Sequence, residues 1–178
     1  MKIVIGVVLF VLLVLIIRWI VRKLRIRRFH RSAPGIYRGG QPNPMALWML
    51  ARIFGVRTII NLREDYIENT NLFGMKEYRI LLPPRTNIPT MEQVDEFLQI
   101  MDEHSAYPML IHCKVGANRT GIMMATWRIA RQGWSHDDAL AEMKQISGKI
   151  IPDHALDCLQ QIATRFEQKA QPQNAIKA

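Results

Sequence analysis

An α/β fold around a mostly parallel sheet, preceded by one transmembrane helix, is what this 178-residue chain predicts, on three observations. Residues 3–21 are apolar except for Arg18. From residue 36 onward, short β-branched runs alternate with helix-length amphipathic segments, the pattern of βα units packed in layers. The basic surplus is confined to one end. Residues 1–31 hold eight Lys and Arg and no acid, so the +9 net charge of the chain leaves residues 32–178 nearly neutral. Such a distribution argues against a nucleic-acid-binding protein. Two cysteines, Cys113 and Cys158, are too few for a disulfide-stapled scaffold and lack the paired spacing of a zinc site.

As a helix, the 19 positions from Ile3 to Val21 would reach roughly 28 Å, against about 30 Å of bilayer hydrocarbon. Arg18 can snorkel to the interface and Trp19 can sit in its aromatic belt. Basic charge follows the apolar run instead of preceding it, and no small-residue cleavage site appears. Both features favour an uncleaved anchor over a signal peptide. The basic side of such a helix stays cytoplasmic, which puts the folded domain in the cytoplasm as part of a single-pass membrane protein. The expected organisation is an anchor over 1–21, a basic juxtamembrane segment over 22–31, a folded domain over 32–169 and a flexible tail over 170–178. The basic segment can serve as a topology signal and can also hold the domain against anionic headgroups.

Ile36 to Arg38 reads as an entry strand before a Gly-Gly-Gln-Pro turn. Asn43 then caps a helix begun by Pro44, with Met45, Trp48, Met49 and Ile53 or Phe54 on one face and Gly55 at its stop. Val56 to Leu62 and Tyr78 to Leu82 are strands, the second halted by Pro83 and Pro84. Thr90 with Gln93 forms a capping box for a helix to about Glu103, and Pro108 to His112 is a buried strand. A helix after Arg119 runs to Gln132 and stops at Gly133. Ser135 with Asp138 opens the next, and Asp153 caps the last, with Cys158 on its core side.

Chemistry concentrates between the strand ending at His112 and the helix beginning near Arg119. The loop Cys113-Lys114-Val115-Gly116-Ala117-Asn118-Arg119 suits binding and attack on a phosphate. Its backbone N–H groups can converge as an anion nest, and the following helix adds its positive end. Arg119 supplies a planar fork for two phosphate oxygens. The same field favours the thiolate of Cys113, the candidate nucleophile. Thr120 can stabilise that sulfur as a leaving group, His112 can fix the loop, and Lys114, Val115, Gly116, Ala117 and Asn118 would cradle the substrate.

With His112, Cys113, Gly116, Arg119, Thr120 and Gly121 in this setting, the chain resembles the cysteine-dependent protein tyrosine phosphatases on their dual-specificity side. Ile36-Tyr37-Arg38-Gly39-Gly40-Gln41-Pro42 and Ile59-Ile60-Asn61-Leu62-Arg63 resemble the entry segment and second strand of small bacterial and fungal members. The resemblance implies a four- or five-stranded sheet flanked by helices, a phosphocysteine intermediate and no metal or other cofactor. With the anchor, it implies a bacterial inner-membrane location.

One part of the family pattern is missing. A general acid, usually an Asp about thirty residues before the nucleophile, is absent, since no carboxylate lies between Glu77 and Glu92. Where some relatives carry an Asp before the loop arginine, this chain has Asn118. Glu64 and Asp65, at a strand end on the same edge as the loop, are the nearest candidates, with Asp65 the possible general acid. Equally, both could be solvated turn residues. The expected partners are a phosphorylated protein or a membrane lipid phosphate, together with a bilayer through residues 3–21. A phosphatase of phosphotyrosine or dual specificity is the first reading. A lipid or phosphoinositide phosphatase is the alternative, and a phosphate-binding pseudophosphatase ranks below both. Cys158 is read as a core residue, with a redox bridge to Cys113 as the rival.

Overall fold

The protein is described by a computed structural model at residues 10–16, 18, 25–83, 86, 88–103 and 106–170. Five strands, β1 (His30–Ala33), β2 (Ile36–Gly40), β3 (Thr58–Asn61), β4 (Lys76–Arg79) and β5 (Met109–Cys113), form one sheet in the order β1-β2-β5-β3-β4. All pairings are parallel except that of β1 with β2, a hairpin. The central strand β5 is buried at every position, as its run Met-Leu-Ile-His-Cys requires.

Alternation along the strands divides the core in two. Ile36, Ile60, Met109, Ile111 and Cys113 face one layer, which contains α2 (Met91–Asp102), α3 (Asn118–Gln132), α4 (His136–Ser147) and α5 (Asp153–Ala170). Ile59 and Leu110 face the other, closed by α1 (Pro44–Arg52) through Ala46, Leu47 and Leu50 and flanked by the Phe29, Tyr37 and Phe54 rings. Helix α3 is buried from Arg119 to Ile129 because α4, α5 and α2 all pack on it. Every parallel strand ends at one edge of the sheet, where Gly40 is in register with Cys113 and Asn61 with His112.

Caps read from the sequence recur in the structure. The Asn43 side chain accepts from Ala46 N, and Thr90 and Gln93 form both bonds of the capping box. Ser135 accepts from Asp138 N, and Gly133 closes α3 in the left-handed conformation. Cys158 is buried in the same core as Cys113, both cysteines are free, and burial pushes the Cys158 thiol up.

Several expectations need correction. Met45, Trp48 and Ile53 are exposed, while Met49 and Phe54 pack partly buried on the layer that α1 closes with Ala46, Leu47 and Leu50. The strands read over 56–62 and 78–82 are shorter, β3 and β4, and β4 begins earlier, at Lys76. Asp153 lies inside the first turn of α5, with the Pro152 carbonyl accepting from Ala155 and Leu156 N. Strand β1 and the 3-10 turn Thr70–Phe73 were not foreseen, since His-Arg-Ser-Ala carries no strand pattern and pairs only because β2 offers it an edge.

The basic segment 22–31 is not a spacer over its described part. Ile26 is 5% exposed in the α1 layer, Gly40 N donates to the Arg27 carbonyl at 2.7 Å, and Arg28 donates to Ser147 O at 2.6 Å and to Val115 O at 3.4 Å. Among the described residues no helix is long and apolar enough to cross a membrane. The expected anchor, residues 3–21, lies mostly outside them, as does the tail from residue 171; residues 10–16 are helical and exposed.

A chain beginning at Ser32 should therefore unfold at a lower urea concentration than one beginning at Arg22. Loss of the Ile26 side chain alone is worth about 2–5 kcal/mol if its cavity does not collapse. Equal midpoints would show that these contacts contribute nothing.

Candidate active site

β5 delivers Cys113 to the edge of the sheet, and the next four residues turn tightly into α3. That turn is possible because Gly116 adopts φ +75° and because Gly39 and Gly40 lie against it. A Cβ on Gly116 would fall 2.4 Å from Gly39 C and 2.5 Å from Gly40 N. Helix α3 starts without a side-chain cap and with no acid in its first turn, so its N–H groups and positive end are left for a ligand.

These donors decide the state of the sulfur. Burial pushes the Cys113 thiol up, but the Thr120 hydroxyl and the N–H groups of Thr120, Val115 and Gly116 outweigh it and hold the thiol below its ordinary value. Gly116 N lies 3.2 Å from Sγ. Thr120 is fully buried, and among the described residues no hydrogen bond takes up its hydroxyl, which leaves it free to support the sulfur. Arg38 adds a positive charge near Cys113 from β2; burial lowers its pKa to about 10, which leaves it charged at neutral pH.

Arg119 is pinned by donating from Nη1 to the carbonyls of Leu62 at 3.2 Å and Leu82 at 3.5 Å, just beyond β3 and β4. Cys113, Lys114, Val115, Ala117, Asn118 and Arg119 then surround a cavity of ≈ 150 Å³. Gly116 bonds to the sulfur, and His112 and Thr120 are buried in the supporting structure. Lys149, from the turn after α4, also lines the cavity. It lies 36 positions after Cys113, and no sequence signal linked the two.

Asp65, the possible general acid, is exposed in the loop after β3 and paired with Arg63. Arg63 donates to both its carboxylate oxygens, at 3.0 and 2.7 Å, and holds its pKa down at about 2. An acid so easily ionised has no proton to give at neutral pH. Arg63 also donates to the Gln41 side chain, tying the loops after β2 and β3 together. Glu64 is exposed, its main-chain oxygen accepting from Arg79.

Glu68 is the site residue that the sequence did not reveal. Its carboxylate lies 3.4 Å from His112 Nε2, both side chains wholly buried. Burial raises Glu68 to about 7 and lowers His112 to about 4, so on the acid side of neutrality the pair is uncharged. The tautomer follows. His112 Nδ1, 3.4 Å from the Cys113 carbonyl, must donate because a carbonyl only accepts, which leaves Nε2 as the unprotonated nitrogen facing the Glu68 carboxyl across 3.4 Å.

A nucleophile in an anion-binding loop, closed by a pinned arginine at the strand edge of an α/β sheet, defines the class of cysteine-dependent phosphatases. The chain belongs to the dual-specificity branch of that class: the family model described as "DSP-PTPase phosphatase fused to NAD+ Kinase" matches residues 29–156. The dual specificity protein phosphatase TpbA of Pseudomonas aeruginosa is 32% identical over 117 residues, 65% of this chain and 52% of that protein. The chain thus spans about half the length of that relative. The human phosphatidylglycerophosphatase and protein-tyrosine phosphatase 1 is 24% identical over 80% of this chain and 76% of its own. The crystal structure of PTPMT1 in complex with PI(5)P shares the fold, with a TM-score of 0.70 at 22% identity, covering 80% of this chain and 98% of that one.

The neutral pair sets a pH dependence. Glu68 has a folded pKa above its unfolded value, so its contribution to stability is complete below about 4.5 and is lost as pH rises through about 7. His112 works oppositely, losing stability as pH falls from 6.5 through about 4, so in the native chain the two nearly cancel between these limits. In Glu68→Gln the first contribution is removed. The unfolding free energy of the variant minus that of the native chain should rise with pH between 4.5 and 7, by up to about 1.4 kcal/mol per unit. Urea unfolding at pH 5, 6 and 7 checks this, and a flat difference would show that Glu68 does not hold the proton.

Proposed function

We propose that the chain hydrolyses phosphate monoesters through a phosphocysteine intermediate, as a membrane-anchored phosphatase. The observation that carries this reading is the depressed Cys113 thiol, held by Gly116 N at 3.2 Å and Thr120, in the same small cavity as the pinned Arg119. The thiolate attacks phosphorus, the loop N–H groups and Arg119 hold the non-reacting oxygens, and the bond to the leaving oxygen breaks. Water then attacks the phosphocysteine, the S–P bond breaks, and the Thr120 hydroxyl and loop N–H groups receive the sulfur as thiolate.

Protonation of the leaving oxygen is the weak step. No carboxylate lies between Glu77 and Glu92, and Arg63 keeps Asp65 ionised. General-acid help is worth about 10²–10⁴-fold, and a phenol of pKa about 10 needs it less than an aliphatic alcohol. Phosphotyrosine, or another ester with a low-pKa leaving group, fits this site better than phosphoserine. A membrane lipid phosphate is the second reading. It is favoured by Lys149 and Lys114 at the cavity, the apolar residues 3–21, and the name of the human relative.

Turnover of aryl phosphates should depend steeply on the pKa of the phenol, with a slope that Asp65→Asn leaves unchanged. A flat dependence that steepens in the variant would make Asp65 the acid after all. Cys113→Ser should reduce hydrolysis to background while phosphate still binds, and hydrolysis surviving in this variant would overturn the mechanism.

A further inference from the structure

The chain joins the folded domain at one particular corner. Gly40, whose N–H donates to the Arg27 carbonyl, is in register with Cys113, and Arg28 grips the carbonyls of Val115 in the phosphate loop and Ser147 just before Lys149. Entry is therefore at the edge that carries the nucleophile. Gly35, residues 55–57 and residues 106–108 connect the strands at the opposite edge, far from this corner.

The apolar run ends at Val21 and Ile26 is already buried, so five peptide steps separate them. Those steps span at most about 17 Å. A domain of this length is roughly 38 Å across, given a radius of gyration near 15 Å. An anchor on so short a leash can bring the catalytic edge to a bilayer but not the opposite one.

The side chains at this edge suit such a surface. Ile150, beside Lys149, is 94% exposed, Ile67 in the loop after β3 is 66% exposed, and Met45 and Leu81 are also exposed. Around them Arg25, Arg27, Lys114 and Lys149 are exposed cations. Against these stand Glu64, Asp65, the latter paired with Arg63, Glu92 next to Gln93, which donates to the Leu81 carbonyl, and Asp153 three residues after Ile150. Apolar tips among cations are what a headgroup layer of anionic lipid accommodates.

We propose that the sheet edge bearing Cys113 is the membrane-facing surface of this protein, resting on an anionic bilayer through Ile150, Ile67 and the basic entry segment. The cavity then opens toward the headgroup plane. This deepens the proposed function and rests on residues 3–21 being an anchor.

The test is hydrogen exchange on the full chain, in detergent and in vesicles of phosphatidylcholine with phosphatidylglycerol, after flotation through a carbonate wash. Slower exchange in vesicles is expected at residues 41–45, 64–67 and 148–150, with none at 34–35, 55–57 and 106–108. A chain that fails to float overturns the anchor and the docking surface together. A chain that floats with unprotected catalytic loops, or with protection at the opposite edge, overturns the docking surface alone. Protection that appears equally in concentrated detergent samples would assign the face to a second copy and would also overturn it. Ile150→Ser, at a position open to solvent, should leave turnover of a soluble aryl phosphate unchanged. It should lower turnover of a phosphoinositide in those vesicles by about tenfold, because the serine side chain no longer inserts an apolar tip among the headgroups. Equal loss on both substrates would count against the proposal.

Discussion

Burial raises the pKa of a thiol, and at Cys113 that cost is offset by donors from a single short turn. The rest of the site serves this requirement. The turn closes only because Gly116 takes a left-handed conformation against Gly39 and Gly40, where any Cβ would collide with backbone. The central position of β5 then fixes where the sulfur emerges, and the burial of α3 on three helices fixes where its N-terminus points.

Behind the sulfur, buried Arg38 stays charged while the Glu68–His112 pair is arranged without charge. Glu68 and His112, wholly buried and 3.4 Å apart, could form an ion pair only by bearing the desolvation of two charges. Standing as a neutral acid and a neutral imidazole avoids that penalty and leaves Nδ1 to bond the Cys113 carbonyl. Two further charged groups have partners in the loops: Arg119 on two carbonyls, and Arg63 between Asp65 and Gln41. The Arg63 bond that orders this loop also favours the ionised form of Asp65, so loop order and proton donation compete for one carboxylate.

The basic end of the chain is coupled to this machinery by the Arg27 carbonyl and the Arg28 guanidinium. Arg27 and Arg28 contact Gly40, Val115 and Ser147, which are respectively the seat of the phosphate loop, the loop itself and the approach to Lys149. A charge excess that in the sequence looks like a collar outside the domain is, at Arg27 and Arg28, bonded to the catalytic edge.

Local patterns were sufficient wherever the cause was local. Asn43, the Thr90–Gln93 box, Ser135 and Gly133 cap their helices with atoms three or four residues away, and Cys113 to Thr120 form one continuous loop. These, with the alternation that makes the sheet parallel, the sequence determined by itself. It did not determine which face of α1 is buried, because both faces are apolar and only the fit to Ile59 and Leu110 chooses between them. Nor could it pair Glu68 with His112 across 44 positions, bring Lys149 to the cavity, or bind Asp65 to Arg63 in a geometry that costs it its proton. Those are contacts between side chains set by strand order and loop closure, and burial, which moved Glu68 to about 7, is a property of the packed molecule and of no residue alone.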